Sequence, residues 1–332
     1  MEKANKPNEL IEFLKTLENN KVNYVIWKNL HKLDQSLKGL FNIDIYIPFS
    51  NKFKFIEVAK SNNCIKANNY VNNFPFISHF YLLGENNKVF HIHTYYKLIT
   101  GESFLKEFIL PIEDLILENR IKHDELNIWV VNKKFNAYIF TIRHFLKCGS
   151  LLGRKVYKKQ ISSYKEEWDF INFKKKVDLY GMPFIKKDKI EKSNLFDTNF
   201  QLPNFLAAIE FRNSINNLCR FSPIQLFFIR NITFIRLLIN KYIKRKKKVL
   251  PQIGIVISFT GVDGSGKSTI NENISKFFGE FMTVENFHIG KPQGLLLSSF
   301  ISKIRNKNLN RKNKVLKKEI SFFASLIAIY IA

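Results

Sequence analysis

The run Gly261-Val262-Asp263-Gly264-Ser265-Gly266-Lys267-Ser268-Thr269 places a glycine, four residues and then Gly-Lys-Ser behind an apolar stretch at 253–260. Glycines at this spacing let the backbone curl so that successive N–H groups face one anion, and a following helix start adds partial positive charge. A lysine in that frame reaches β- and γ-phosphates, and the next hydroxyl is an oxygen ligand suited to Mg²⁺. The chemistry is therefore ATP and Mg²⁺ binding. Gly261, Gly264, Ser265, Gly266, Lys267, Ser268 and Thr269 form the cradle, with Ser268 on the metal and Lys267 at the transferred phosphoryl group. A glycine-rich turn that binds nothing is the bland alternative. Against it stand the buried strand expected at 253–260 and the helical spacing of Ile270, Ile274, Phe277 and Phe278.

Asp44, His91 and His93 are the other residues of chemical interest. Asp44 interrupts the strand-like Ile43-Asp44-Ile45-Tyr46-Ile47, and the two histidines, two positions apart, share one face of a second strand. The elements around them read clearly. Leu10, Phe13, Leu14 and Leu17 give an amphipathic first helix; Val22 to Trp27 is a strand; 51–61 is a helix with Phe55, Val58 and Ala59 inward. Apolar runs at 76–83 and 88–96 flank Gly84-Glu85-Asn86-Asn87 as a hairpin, and Pro111 opens a short helix. A strand at 127–131 precedes a helix carrying Phe135, Tyr138, Ile139, Ile142, Phe145 and Leu146. His144 and Trp168 read as packing residues.

Residues 1–150 thus form a mixed α/β unit, 151–250 a helical and basic connector, and 251–332 the phosphate-loop domain. Within the connector, Ser222-Pro223 caps a very apolar helix running to about Tyr242. Arg230 and Arg236 in its middle argue against a membrane span. The run Lys244-Arg245-Lys246-Lys247-Lys248 reads as a solvated linker, with Pro251 at the boundary.

The chain has 332 residues, 53 Lys+Arg against 28 Asp+Glu, for a formal charge of +25. That charge is spread along a sequence crowded with Lys, Asn, Ile and Phe, types with AT-rich codons, and no nucleic-acid docking motif accompanies it. No specific nucleic-acid partner is expected. Three cysteines far apart exclude a Cys-pair zinc site or a disulfide framework and fit a reducing cytoplasm, and no secretory leader precedes the first helix.

The loop Phe259-Thr260-Gly261-Val262-Asp263-Gly264-Ser265-Gly266-Lys267-Ser268-Thr269 resembles that of thymidylate kinases. The resemblance implies a parallel-sheet P-loop domain that transfers a phosphoryl group from ATP to a small acceptor. It also implies a role for Asp263 beside the acceptor sugar and the metal. Thr260 stands where the family usually has Glu, and Gly290-Lys291-Pro292 where it tends to have Arg-Glu-Pro, so the acceptor is not implied to be dTMP. Little sequence follows Thr269; no Asp-Arg segment or arginine-bearing lid is found, and the kinase-like domain is expected to be partial. Residues 320–332, apolar but too short for a span of about 20 residues, read as a core helix.

The first 150 residues resemble uncharacterised bacterial nucleotidyltransferase-like proteins of capsule and exopolysaccharide loci. The likeness runs through Tyr24-Val25-Ile26-Trp27-Lys28, Gly39 to Pro48, His91 to Glu102 and Leu110-Pro111-Ile112-Glu113-Asp114-Leu115. In that superfamily an Asp-x-Asp pair and a third carboxylate hold two Mg²⁺ ions. Here Asn42 replaces the first carboxylate, Asp44 is kept as the metal ligand, and His91 and His93 lie where the third would be. Two readings stand: a nucleotide or single-metal site at Asp44, or the polar remnant of a degenerate one. A binding or scaffold protein without turnover is the non-enzymatic alternative.

Overall fold

The computed structural model describes residues 8–148 apart from Asn86, 205–251 and 254–287. Trp168, Gly290-Lys291-Pro292, the 320–332 tail and most of the connector lie outside the described residues.

Helix α1 (Glu9–Asn19) starts where the Asn8 side chain accepts a hydrogen bond from the Leu10 amide, and Glu9 and Glu12 favour its positive end. It buries Leu10, Phe13, Leu14 and Leu17, each of which contributes about 1.5–3 kcal/mol by leaving water. A short α2 (Leu33–Leu37) and α3 (Lys52–Ser61) follow, the latter burying Phe55, Val58 and Ala59 as its spacing predicts.

The strands are β1 (Val25–Lys28), β2 (Ile43–Tyr46), β3 (Ile65–Asn69), β4 (Ile77–Leu83), β5 (Val89–Tyr95), β6 (Ile99–Thr100), β7 (Phe108–Ile109), β8 (Arg120–Lys122), β9 (Trp129–Val131) and β10 (Lys248–Val249). They build a mixed sheet in the order β10-β3-β4-β5-β2-β1-β9-β8, with β6 and β7 paired separately. The β2–β5 and β1–β9 pairs are parallel and the others antiparallel. The mixed α/β class expected from the sequence is therefore present.

Side chains alternate between two cores. Ile26, Ile43, Ile45 and Ile92 meet α1 and α3 on one face; Val25, Trp27, Tyr46 and Tyr95 meet α5 (Lys133–Cys148) and α6 (Phe205–Ser214) on the other. Helix α4 (Glu113–Glu118) adds Ile116 to the second core.

Alternation fails at one point. Val25 opposes Tyr46 and Ile26 opposes Ile45, but Lys28, not Trp27, opposes Asp44. Trp27 is the extra residue of a β-bulge, so Trp27 and Lys28 both lean to the α5 face.

Helix α7 (Pro223–Ile239) begins with the expected cap: Ser222 and Gln225 exchange side-chain and backbone hydrogen bonds at 3.1 and 3.3 Å. A π-helical turn (Asn240–Lys244) extends it until Arg245 turns left-handed. The basic run that follows is not simply a solvated linker. Lys248 and Val249 form β10, an edge strand of the large sheet antiparallel to β3. Among the described residues no helix is long and apolar enough to cross a membrane.

The chain divides between Val256 and Ile257 into two units. The buried strand expected at 253–260 does not appear over the described 254–260. Ile255 and Val256 are 73 and 95% exposed, and Ile257 is 55% exposed. An apolar run becomes a strand only where a neighbour takes its backbone N–H and C=O groups, and no described strand lies beside this one. Beyond it, α8 (Lys267–Gly279) forms as its periodicity predicts, with Phe277, Phe278 and Phe281 in mutual edge contact.

Candidate functional site

Asp44 is 1% exposed and lies at the middle of a polar cluster on the α5 face. Its Oδ1 stands 2.9 Å from the Lys28 ammonium and 2.9 Å from His93 Nδ1. Its Oδ2 accepts from Asn29 Nδ2 at 2.7 Å and from Asn42 Nδ2 at 2.9 Å. Burial alone would raise the carboxyl, but the Lys28 charge and the neighbouring His93 hold it well below the usual range. Burial lowers Lys28 to about 7; Asp44 opposes that, while Arg143 and Lys106 add to it.

Asp44, expected from the sequence as a metal ligand, here has an ammonium, an imidazole and two amides as its neighbours. Oδ2 is taken by two amide N–H donors, whereas Oδ1 makes no hydrogen bond of its own and is paired by charge with the Lys28 ammonium. Asn42 supplies an N–H to its neighbour where a carboxylate could only have repelled it. Among the described residues no group of three or more His, Cys, Asp and Glu is arranged to hold a metal ion.

The histidines continue the polar row across the sheet. His93 stacks on His79 at 4.5 Å, and His79 Nδ1 is 3.0 Å from His91 Nε2. The Lys248 ammonium sits 2.9 Å from His79 Nδ1 and 2.8 Å from His91 Nε2, so one cation serves two imidazole nitrogens. Burial, Lys248 and the neighbouring histidines push His79 and His91 well down; burial lowers His93 to about 4 and Lys248 to about 7. The shared face of His91 and His93 was legible in the sequence. The parts played by Lys28 and Lys248 were not, since one depends on the bulge and the other was hidden in a run of like charges.

In the second unit, 261–266 form an exposed loop and Gly266 caps α8. Gly264 (φ +84°) and Gly266 (φ +80°) adopt left-handed backbone that a side chain would strain. Lys267 folds back over the loop. Its ammonium donates to the Gly261 carbonyl at 2.8 Å and to the Val262 carbonyl, and lies 3.4 Å from Ser265 Oγ. Gly261 is itself closely approached, since a Cβ there would stand 2.9 Å from Ser265 Oγ. The N–H groups of the first helical turn, at Lys267, Ser268 and Thr269, have no carbonyl within the helix to bond. Asp263, Ser268 and Thr269 are exposed beside them.

No family model, curated protein or solved structure matches the chain.

The two candidate sites therefore rest on their own geometry. The first joins groups from β1, β2, β4, β5 and β10; the second draws on nine consecutive residues. Sequence reasoning finds the second kind because spacing along the chain is its geometry, and finds only fragments of the first.

Proposed function

We propose that the chain binds Mg-ATP at residues 261–269 and transfers a phosphoryl group to a small acceptor, as the resemblance of this loop to thymidylate kinases implies. The observation that carries the proposal is the Lys267 side chain. Its ammonium hangs over the loop on the Gly261 and Val262 carbonyls, weak partners that phosphate oxygens can replace with a gain in charge pairing. The left-handed glycines and the helix start add backbone donors on the same few residues.

The side chains present suit Mg²⁺. Ser268 and Asp263 offer exposed oxygen donors, the hard ligands this ion takes, with the remaining positions filled by phosphate and water. When bound, the ion supplies neutralisation of phosphate charge. In this reading Lys267 holds the transferred group, and Asp263, exposed in the same loop, is the carboxylate that the resemblance sets beside the acceptor.

Nucleotidyl transfer by the N-terminal unit is not favoured, because the Asp44 carboxylate already has the Lys28 ammonium as its counter-charge and Asn42 stands where a second carboxylate is needed. Titration calorimetry of Mg-ATP into the full chain tests the main reading. Lys267→Ala is expected to weaken binding by about tenfold or more, the worth of a charge-assisted hydrogen bond. Equal affinities in the two proteins would remove the site assignment.

A further inference from the structure

One side of helix α7 faces water, and that side is hydrocarbon. At about 100° per residue its side chains divide into two arcs. The narrower arc, with Leu226, Ile229, Arg230, Thr233 and Leu237, is half-buried or buried, and Arg230 ties it to the body of the unit through Glu102 at 3.0 Å. The wider arc, about 140° across, carries Ile224, Phe227, Phe228, Ile232, Ile235 and Leu238, all between 39 and 72% exposed. Its polar member, Asn231, folds back to donate to the Phe227 carbonyl at 2.8 Å. Tyr242 and Ile243 prolong the exposed apolar surface through the π-helical turn. Apolar side chains this dense on a surface mark a place that something else covers.

Charge specifies the covering partner. Arg236 and Lys241 are exposed and fall on the two borders of the apolar arc. Arg245 and Lys244, whose ammonium also reaches the Tyr70 hydroxyl at 3.1 Å, follow at its C-terminal end. Between Glu210 and Asp263 the sequence has no Asp or Glu, so the helix and its borders carry no negative side chain of their own. A second copy of this chain, at +25, brings like charge to those borders, and so do the segments 149–204 and 288–332, each net basic. A nucleic acid matches the cations but offers no hydrocarbon to the arc between them. An anionic bilayer supplies both, with acyl chains for the arc and phosphate headgroups for the cations whose aliphatic stems flank it.

We propose that α7 is a peripheral membrane-binding element, lying flat in the interface of a bilayer that contains anionic phospholipid, with Phe227, Phe228 and Ile235 at the acyl boundary. The helix does not span. Arg230 is held at its middle by Glu102, and its 17 residues reach about 25 Å, short of a hydrocarbon core of about 30 Å. The surface is separate from the loop at 261–269 and from the Asp44 cluster, so its failure is distinguishable from failure of the phosphotransfer reading.

The test is co-sedimentation of the full chain with vesicles of phosphatidylcholine and phosphatidylglycerol in equal parts, beside vesicles of phosphatidylcholine alone. A chain of +25 adsorbs to any anionic surface, so the deciding variant keeps the charge. Phe227→Ser with Phe228→Ser, both at exposed positions, is expected to weaken binding to the mixed vesicles at least about tenfold. Arg236→Gln with Lys241→Gln is expected to weaken it about tenfold and to flatten its dependence on salt. Lys267→Ala should bind the vesicles as wild type does. A second measurement reads insertion directly: the fluorescence of Phe228→Trp should shift to the blue on adding mixed vesicles and be quenched by brominated acyl chains. Equal binding of wild type and the double Phe→Ser variant, or an introduced indole that lipid leaves unshifted and unquenched, would overturn the proposal. So would an indole already buried without lipid; sedimentation velocity then assigns the face to a second copy if the chain is dimeric, and to this chain's own residues if it is monomeric.

Discussion

Lys28 and Lys267 are the same side chain in opposite circumstances. Lys28 ends a strand in the interior and gives its ammonium to a carboxylate and a phenol from two other strands. Lys267 begins a helix at the surface and gives its ammonium to carbonyls five and six residues back. The first has partners that only the whole fold can supply, so removing them unbalances the interior. The second has partners that the chain carries with it, and a ligand can replace them at little cost. A cation's role follows from what must move for its partners to change.

The sharpest way to break this contrast is Asp44→Asn. It leaves the Lys28 ammonium buried without its counter-charge, and urea unfolding of the variant should show a loss of about 3–5 kcal/mol. Adding Lys28→Met should recover most of that loss. If Asp44→Asn alone matches wild type, the pair is not the organising feature of the N-terminal unit.

Stability should also depend on pH with a definite sign. Burial holds His93 near 4 and His79 and His91 well below 6.5, so between about pH 4 and 6.5 the unfolded chain binds more protons than the folded one. Stability is then expected to fall as pH drops through that window, by up to about 1.4 kcal/mol per unit for each such proton. Lys28 and Lys248, lowered to about 7, carry the same sign upward, with stability rising from pH 7 towards 10. Urea midpoints at several pH values for wild type and His91→Gln check this; the variant should show the shallower acid limb, and identical limbs would exclude His91 as a contributor.

Lys248→Met should cost less, about 1 kcal/mol, since it forfeits hydrogen bonds from one ammonium to two imidazoles but also relieves a buried charge. Its clearer readout is amide exchange across residues 246–250, expected to quicken as β10 loosens from β3. Unchanged exchange would return Lys248 to the class of ordinary surface lysines. Smallest of all should be the effect of Lys267→Ala on stability, within about 0.5 kcal/mol, because no buried group depends on it. A larger loss would mean that the loop is held by its lysine and not by its glycines.

How far each feature was legible follows from the range of its causes. The helices α1, α3 and α7 announce themselves through apolar spacing and caps such as Ser222 with Gln225, all within a few residues. The hairpin between β4 and β5 is equally local. The strand expected at 253–260 shows the limit, because an apolar run carries its own hydrophobicity but not its neighbour. Asn42 and Asp44 were recognisable as neighbours on one face, yet the meaning of that face came from Lys28, whose orientation no local pattern encodes. Strict alternation would have set it beside Ile26.

That departure from alternation leaves β1 with two ways to meet β2. An unbroken ladder would set Trp27 opposite Asp44 and Lys28 opposite Ile43, driving an ammonium into hydrocarbon. Backbone pairing alone prefers this continuous register; the charge pair prefers the interrupted one and prevails. The centre of the sheet is therefore a point of frustration, where local and global preferences disagree and a polar contact decides. Lys28→Leu takes away the deciding vote. Its β1 should relax into the regular register, visible as an additional slowly exchanging amide opposite β2 and a tryptophan ring moved onto Asp44.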